Sequence, residues 1–395
     1  MPIVFIGVPI ATYGSRDKAA SAGARSGLHG ALRMSIDASI YESFPRHAFR
    51  RPPEFDGTTA RVPVVILGAG PVGLTAALGL ARHGVRSVVI ESRDTVGFGS
   101  RAICLSRRSL EIWDRLGVAG PIVARGLPWT GGRSSWGRHE VLSFAMPHDD
   151  DQKFPPMLNL QQCFVEQFLI EAVMATPEID LRWHSSATML DARDDGVRLG
   201  IDTPEGRYDI EAGRLVACDG ARSFARRALG LALEGTSYEG RYLIADVRLA
   251  SDAPVERRAW FDPPSNPRST LLMHRQPDDV WRIDYQLRDD EDEIAAQKEA
   301  AIRARIDAHL AYIGETEPYT LIWRSLYKAH AVTLAQYVHG RVAFAGDAAH
   351  LVPIFGVRGL NSGVDDAFNL AWKLARVVRG DADDTLLESY SEERV

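Results

Sequence analysis

Apolar and polar positions along the chain fall into three regimes. Residues 1 to about 60 sustain neither a period of two nor one of 3.6, and Gly14, Gly23, Gly27, Gly30, Pro45, Pro52, Pro53 and Gly57 punctuate them. They read as an N-terminal extension that is partly disordered, within which Met34 offers an alternative translation start. At Val62 the pattern changes: Val-Pro-Val-Val-Ile-Leu is a short buried strand, Leu74–His83 has helical spacing and is closed by Gly84, and Ser87–Ile90 is a second strand. Together they make a βαβ unit. Helical spacing returns over Arg107–Leu116, stopped by Gly117, and over Asn159–Val173, with Gln162 in its opening turn. Between Tyr242 and Leu287, strand-like runs at Tyr242–Val247, Ser269–His274 and Val280–Leu287 alternate with Pro- and Asp-rich turns, which predicts an antiparallel sheet. A charged amphipathic helix, Ile294–Tyr312, follows. Arg341–Ala345 returns to a buried strand and Ser362–Val378 to a helix, so the last segment rejoins the first domain in an α/β fold.

Composition narrows the setting. The chain has 395 residues, 45% of them apolar and 25% charged, enough for two or three packed domains. Lys and Arg number 46 against 52 Asp and Glu, a net charge of −6 that offers nucleic acid nothing. Cys104, Cys163 and Cys218 are odd in number and irregularly spaced, so neither a disulfide framework nor a metal site is expected, and a reducing cytoplasm is the simplest location. No apolar run approaches the roughly 20 residues of a membrane span, and Met1–Ala11 lacks the flanks of an export signal. Neither membrane nor nucleic acid is an expected partner. The oligomeric state stays open, a homodimer included.

Two glycine-rich loops carry the chemistry. In Gly68-x-Gly70-x-x-Gly73, Gly68 makes the tight bend, Gly70 admits a pyrophosphate, and Gly73 lets helix pack on strand, while the helix N-terminus offers free N–H groups to phosphate. Glu91 closes the second strand 18 residues after Gly73, where a carboxylate accepts hydrogen bonds from both hydroxyls of an adenosine ribose. This motif does not separate FAD from NAD. The second loop does: Gly346-Asp347, then Pro353, Gly356, Gly359 and Asn361, sets an Asp at a strand end and glycines at a helix start. Such a carboxylate can hold ribityl hydroxyls, and the loop N–H groups and helix dipole can face the pyrimidine edge of a flavin.

With these loops and the intervening Asp219-Gly220-Ala-Arg222-Ser223 in order, the chain from about Arg51 onward resembles the class A flavoprotein aromatic monooxygenases, the family of para-hydroxybenzoate and phenol hydroxylases, and most resembles the 3-(3-hydroxyphenyl)propionate hydroxylase-like branch. The resemblance implies a Rossmann-type FAD-binding domain (61–125, 156–236 and 336–395) with an inserted antiparallel β-sheet substrate domain (126–155 and 237–335), behind the extension of 1–60. It further implies that Glu91 binds the adenosine ribose, that Arg101 and Gln162 contact the FAD diphosphate and ribose, that Asp347 binds the ribityl chain, and that Asp219 serves both FAD and pyridine nucleotide. Expected chemistry follows: NAD(P)H as co-substrate reduces FAD, O2 gives a flavin C4a-hydroperoxide, and a small phenolic substrate is hydroxylated. No second GxGxxG follows a later strand, so a separate NAD(P)H domain is not expected. Two departures stand out. Many members have Gly-Gly where this chain has Gly356-Val357, and the chain stops within a Tyr390-x-x-Glu393-Arg394 helix that this branch follows with a thioredoxin-like domain. The sequence therefore also reads as a truncated, non-catalytic relative or as a flavin oxidoreductase of other chemistry.

For catalytic side chains, Arg282 aligns loosely with a family arginine that faces the flavin, and strand alternation puts Asp284 on its face and Tyr285 on the other. A surface ion pair is the competing reading of Arg282 and Asp284. His274 reads as structural or exposed, His350 as a helix-terminus or packing histidine, Cys218 as a small buried hydrophobe, and Arg222, Arg226 and Arg227 either as guides for NAD(P)H phosphates or as a solvated helix face.

Overall fold

The computed structural model describes residues 38–57, 61–354 and 356–395, without the side chains of 38, 39 and 237–239. A predominantly parallel sheet runs in the order Val338–His339, Val342–Phe344, Gly206–Ala217, Val62–Leu67, Ser87–Ile90 and Ile179–Arg182. All adjacent pairs are parallel except the Val338–His339 hairpin. Val64, Val65 and Ile66 are completely buried, as expected of a strand covered on both faces. The helices Pro71–Arg82 and Arg358–Val378 pack against each other beside this sheet. Gly79 permits the approach, since a Cβ there would lie 2.6 Å from the Ala371 methyl. Register matters for function: Leu67 stands opposite both Ala217 and Ile90, and Ala217 opposite Phe344. The residues that follow these four therefore emerge along one carboxyl-terminal edge, where open α/β sheets bind ligands.

A second sheet of eight strands has the order His350–Leu351, Tyr319–Thr333, Glu234–Leu249, Val280–Leu287, Thr270–Arg275, Arg257–Phe261, Gly131–Trp136 and His139–Ala145. It is antiparallel but for the pairing of Arg257–Phe261 with Gly131–Trp136. One face is apolar. Leu243, Ala245, Val247, Ile283 and Tyr285 pack there against Ile302, Ile306 and Leu310 of the helix Glu299–Ile313. The opposite face carries Asp246, Arg282, Asp284 and His274, all buried.

Three elements differ from the sequence expectation. The helix expected over 294–312 is two, Glu293–Ala296 and Glu299–Ile313. Asp292 caps the first by accepting from the Ala295 N–H at 2.7 Å, and the ion pair of Glu291 with Arg305 (2.6 Å) folds that turn back onto the second. Asn159 ends a strand, Met157–Asn159, and the helix begins at Gln162. The last long helix starts at Arg358, four residues before Ser362. Within the expected extension, residues 1–37 and 58–60 lie outside the described residues, whereas 38–57 pack onto the main body. Ile40 and Tyr41 are buried in the core, His47 stacks on Trp183 at 4.5 Å, and Glu54 pairs with buried Arg182 at 3.0 Å. Among the described residues no helix is long and apolar enough to cross a membrane.

The helix Thr385–Arg394 locks the second glycine loop from behind. Completely buried Asp366 accepts from the Gly346 N–H (3.0 Å), from His350 Nε2 (2.7 Å) and from Arg394 Nε (2.7 Å). Arg394 also reaches Asp365 at 2.9 Å, and the Tyr390 hydroxyl donates to the Phe344 carbonyl at 2.7 Å. Removing one partner of a buried ion pair strands the other charge, so Arg394→Ala should cost about 3 kcal/mol of stability. Chemical denaturation of the variant checks this.

Candidate cofactor and substrate cleft

The carboxyl edge of the parallel sheet and the polar face of the second sheet enclose one cleft of about 1530 Å³. Single-ligand pockets run to roughly 300–1,000 Å³, so a dinucleotide and a second small ring both have room. Gly68 bends at φ +95°, with its Cβ position 2.6 Å from the Cys218 carbonyl, and a Cβ on Gly73 would strike the Gly68 carbonyl at 2.0 Å. Only glycine fits either place. Gly70 instead meets nothing within 4 Å and caps the helix Pro71–Arg82 over the cleft, as a residue that a pyrophosphate approaches must.

Glu91 reaches the cleft, but its carboxylate accepts from the Ala69 N–H (2.8 Å), the Arg93 N–H (2.9 Å) and Arg93 Nε (2.9 Å). Burial opposes its charge, yet the hydrogen bonds and charge of Arg93 prevail and hold its pKa below the ordinary value. Gln162 accepts from the Ala102 N–H at 3.2 Å and donates to buried Glu166 at 2.7 Å, while Arg101 has no side-chain partner among the described residues. Asp219 caps Ala225 with one oxygen (3.1 Å) and leaves the other buried and unpartnered. Asp347 opens onto the cleft within walls of protein. Its side chain is exposed to the cleft, and desolvation by the surrounding walls raises its pKa against the opposing charges of His350 and Arg101. Pro353 and Gly359 line the same space. Gly356 sits beside Arg358, whose Cγ a Cβ would meet at 3.1 Å, and neither Gly356 nor Asn361 is among the residues lining the cleft. The Asn361 amide pins the loop instead, accepting from Ser106 N–H and Ser109 Oγ and donating to the Cys104 and Val357 carbonyls. The orphaned Asp219 oxygen, the open Gly70 and the unpaired Asp347 fit a hydroxyl- and phosphate-rich ligand such as FAD.

Across the cleft, Arg282 and Asp284 are only 3% and 4% exposed, which overturns the surface-pair reading. Arg282 bonds Asp246 through Nε at 3.0 Å, and its other nitrogens donate to the Ser100 and Arg101 carbonyls. Asp284 stands 3.9 Å from that Nε, and one of its oxygens is buried without a hydrogen-bond partner. Burial, reinforced by Asp246 and opposed by Arg282 and Arg257, pushes its pKa up to about 7. His274 is a wall of the cleft rather than an exposed residue. Burial, with Arg257 and Arg282, depresses it to about 3, so it is neutral beside Cys104 (3.8 Å), a thiol that burial pushes up to about 12. Arg226 is neither a phosphate guide nor a solvated charge, since it is buried and donates to the Ala348 and Ala221 carbonyls. His350 is packed as expected, whereas Cys218 is only half-buried and lines the cleft, where desolvation still raises its thiol pKa. Sequence reasoning missed Tyr41, Asp246 and Arg257. A charged residue inside the apolar run Tyr242–Val247 was a signal for Asp246; Tyr41 and Arg257 carried none.

Val357 caps the last long helix at φ +51°, a left-handed conformation that costs a β-branched residue strain and explains why glycine suits this place.

This arrangement defines a Rossmann-type nucleotide-binding protein with a second sheet closing its ligand cleft. Residues 61–395 match the model of the FAD binding domain family, FAD_binding_3, and the chain belongs to that family. It is 30% identical over 333 residues to the 3-(3-hydroxy-phenyl)propionate/3-hydroxycinnamic acid hydroxylase of Mycolicibacterium smegmatis, a match covering 84% of this chain and 58% of the relative. The chain thus spans little more than half the length of the curated relatives it matches. Among solved structures it is similar to p-nitrophenol 4-monooxygenase PnpA from Pseudomonas putida DLL-E4 (TM-score 0.75, 28% identity, 85% of each chain). It is also similar to the Diels-Alderase PyrE3 of pyrroindomycin biosynthesis (TM-score 0.68, 27% identity, 84% of this chain and 69% of that one).

Two expectations follow. Val357→Gly and Val357→Ala lose the same side-chain packing but only glycine relieves the backbone, so the glycine variant should be the more stable by about 1 kcal/mol, as thermal unfolding would measure. Asp284 is more readily protonated in the fold than its ordinary 3.8, so its contribution is full below that pH and is lost as pH rises through about 7. The stability of Asp284→Asn relative to wild type should therefore grow between those two values, measured as the difference in Tm across a pH series.

Proposed function

We propose that the chain is an FAD-dependent monooxygenase that hydroxylates a phenolic ring using NAD(P)H and O2. The observation that carries this reading is the juxtaposition in one cleft of two glycine loops suited to FAD with a buried polar wall of Asp284, Arg282 and neutral His274. Bound FAD supplies the electron transfer between NAD(P)H and O2 that the side chains lack. Glu91, Arg101, Asp219 and Asp347 would hold it, Glu91 by sharing oxygens now engaged by Arg93. Asp284 is the group suited to exchange a proton with a phenol: its free Oδ1 accepts one, and its raised pKa lets it do so near neutrality. Arg282, with its nitrogens bound to protein, orients the site and keeps Asp284 within reach of a positive charge.

The relatives' named substrates join a phenol to a carboxylate through a short side chain, and Arg257 suits that second end. Arg257 lines the cleft near His274, Cys104 and Asp284 and has no hydrogen-bond or ion-pair partner among the described residues. We infer that it pairs with the substrate carboxylate. Arg101 and Arg222, also without side-chain partners there, suit the phosphates of FAD and of NAD(P)H.

The test is to load the purified chain with FAD and follow NADH and NADPH oxidation with and without 3-(3-hydroxyphenyl)propionate, using labelled O2 to trace oxygen into the ring. Oxidation stimulated by the phenol, with label incorporated, is expected. A flavin that no donor reduces would overturn the reading. Arg257→Ala should raise KM for the carboxylated phenol roughly 10- to 100-fold, as expected for loss of a charged hydrogen bond, while an uncharged alkylphenol is little affected.

A further inference from the structure

The family match starts at residue 61, yet a residue ahead of it reaches the cleft wall. Tyr41 is 4% exposed and donates from its hydroxyl to Asp246 Oδ2 at 2.5 Å. Asp246, fully buried, uses its other oxygen to accept from Arg282 Nε at 3.0 Å. The Arg282 guanidinium then donates to the backbone carbonyls of Ser100 and Arg101 and to the Ser100 hydroxyl. A continuous chain of hydrogen bonds thus runs from a residue outside the family-matched region to the loop that carries Arg101 into the cleft. Trp323 covers this chain, with Tyr41 edge-on to it at 6.3 Å and Arg282 at 6.0 Å from its ring. The same loop leaves Phe98 61% exposed; Glu166 accepts from the Gly97 N–H at one end and Gln162 from the Ala102 N–H at the other, while between them the guanidinium and the Trp323 indole, which a Cβ on Gly99 at φ +82° would strike at 2.2 Å, fix its course.

We propose that Tyr41 is a positioning residue for the cleft: by committing Asp246 to Arg282, it fixes the guanidinium on the Ser100–Arg101 backbone and leaves the Asp284 carboxylate free for a ligand. Two buried carboxylates compete for one cation, Asp246 at 3.0 Å and Asp284 at 3.9 Å. Asp246 wins because a phenolic hydroxyl satisfies its second oxygen, which Asp284 has no counterpart for. Without that hydroxyl, Asp246 keeps an unsatisfied buried oxygen, and the guanidinium is drawn to serve it at the expense of the Ser100 and Arg101 carbonyls.

The assignment of FAD to the cleft underlies one arm of the test, and the other arm is independent of it. Tyr41→Phe keeps the ring and its packing and removes only the hydroxyl. In the full-length chain without FAD, hydrogen exchange of Tyr41→Phe should rise in the peptide spanning 97–103, whereas a role confined to packing raises exchange in 38–57 alone. With FAD, the variant should bind the flavin about tenfold more weakly by fluorescence titration, the effect of losing one hydrogen bond to a charged group. Ser100→Ala removes the hydroxyl that meets both the guanidinium and Tyr41, so the double variant should loosen 97–103 no more than the worse single variant. Unchanged exchange at 97–103, or additive effects of the two substitutions, would overturn the proposal. If wild type binds no FAD while the exchange results hold, the cofactor assignment fails and the role of Tyr41 stands.

Discussion

A guanidinium removed from water must find a partner for its charge and acceptors for its five N–H groups, and in this chain that demand joins otherwise separate parts of the molecule. Arg282 comes from the middle of the second sheet, Asp246 from the neighbouring strand, and Ser100 and Arg101 from the loop after the second parallel strand. Satisfying one cation therefore sets how the sheet with the polar wall meets the loop that enters the nucleotide cleft. The apolar face of the same sheet is held by ordinary burial against the helix Glu299–Ile313, which supplies stability without specifying what the other face contains. Division of labour by strand alternation is what lets one sheet serve both ends.

The electrostatics of the wall follow from an imbalance. Arg282 has two carboxylate neighbours, and the geometry assigns it to Asp246. Asp284, denied a hydrogen bond and desolvated, takes the higher proton affinity, and His274 and Cys104 beside it are both driven to their neutral forms. The result is a low-dielectric wall with a carboxyl group able to change charge near neutrality and, nearby, Arg257, a cation without a partner among the described residues. In such surroundings a ligand's charges count for more than they do in water.

How much of this was legible in the sequence depends on the range of the interaction concerned. Gly68, Gly73 and the strand before them were readable because local sterics dictate them: a left-handed bend and a helix-on-strand contact exclude every other residue. The second sheet was readable from alternation, and the α/β frame from the return of strand and helix after Arg341. The use of side chains was less so. Asn361 sits where a flavin-loop residue was expected, yet its amide is consumed in pinning the loop to the Cys104–Ser109 segment, a contact across more than 250 positions. Arg282 and Asp284 were correctly put on one face, but burial of that face comes from packing against the other domain, which periodicity does not reveal. Tyr41 was hidden for the same reason, because the segment around it has no period of its own and its burial comes from long-range packing.

Fold does not by itself fix the reaction, and the comparisons make the point concretely, since similar architecture is found in a nitrophenol monooxygenase and a Diels-Alderase at nearly equal identity to this chain. What separates such outcomes is the chemistry offered by the wall opposite the cofactor. A wall that only shapes an apolar ligand has no need of a carboxyl group, since burying one without a partner is costly. In this chain Asp284 is buried with an unbonded oxygen, within reach of two arginines, on the face that a substrate ring would meet. That cost is maintained on a face that also buries Asp246, Arg282 and His274, and the proton exchange with a phenol proposed above accounts for it, whereas a purely shape-selective pocket does not.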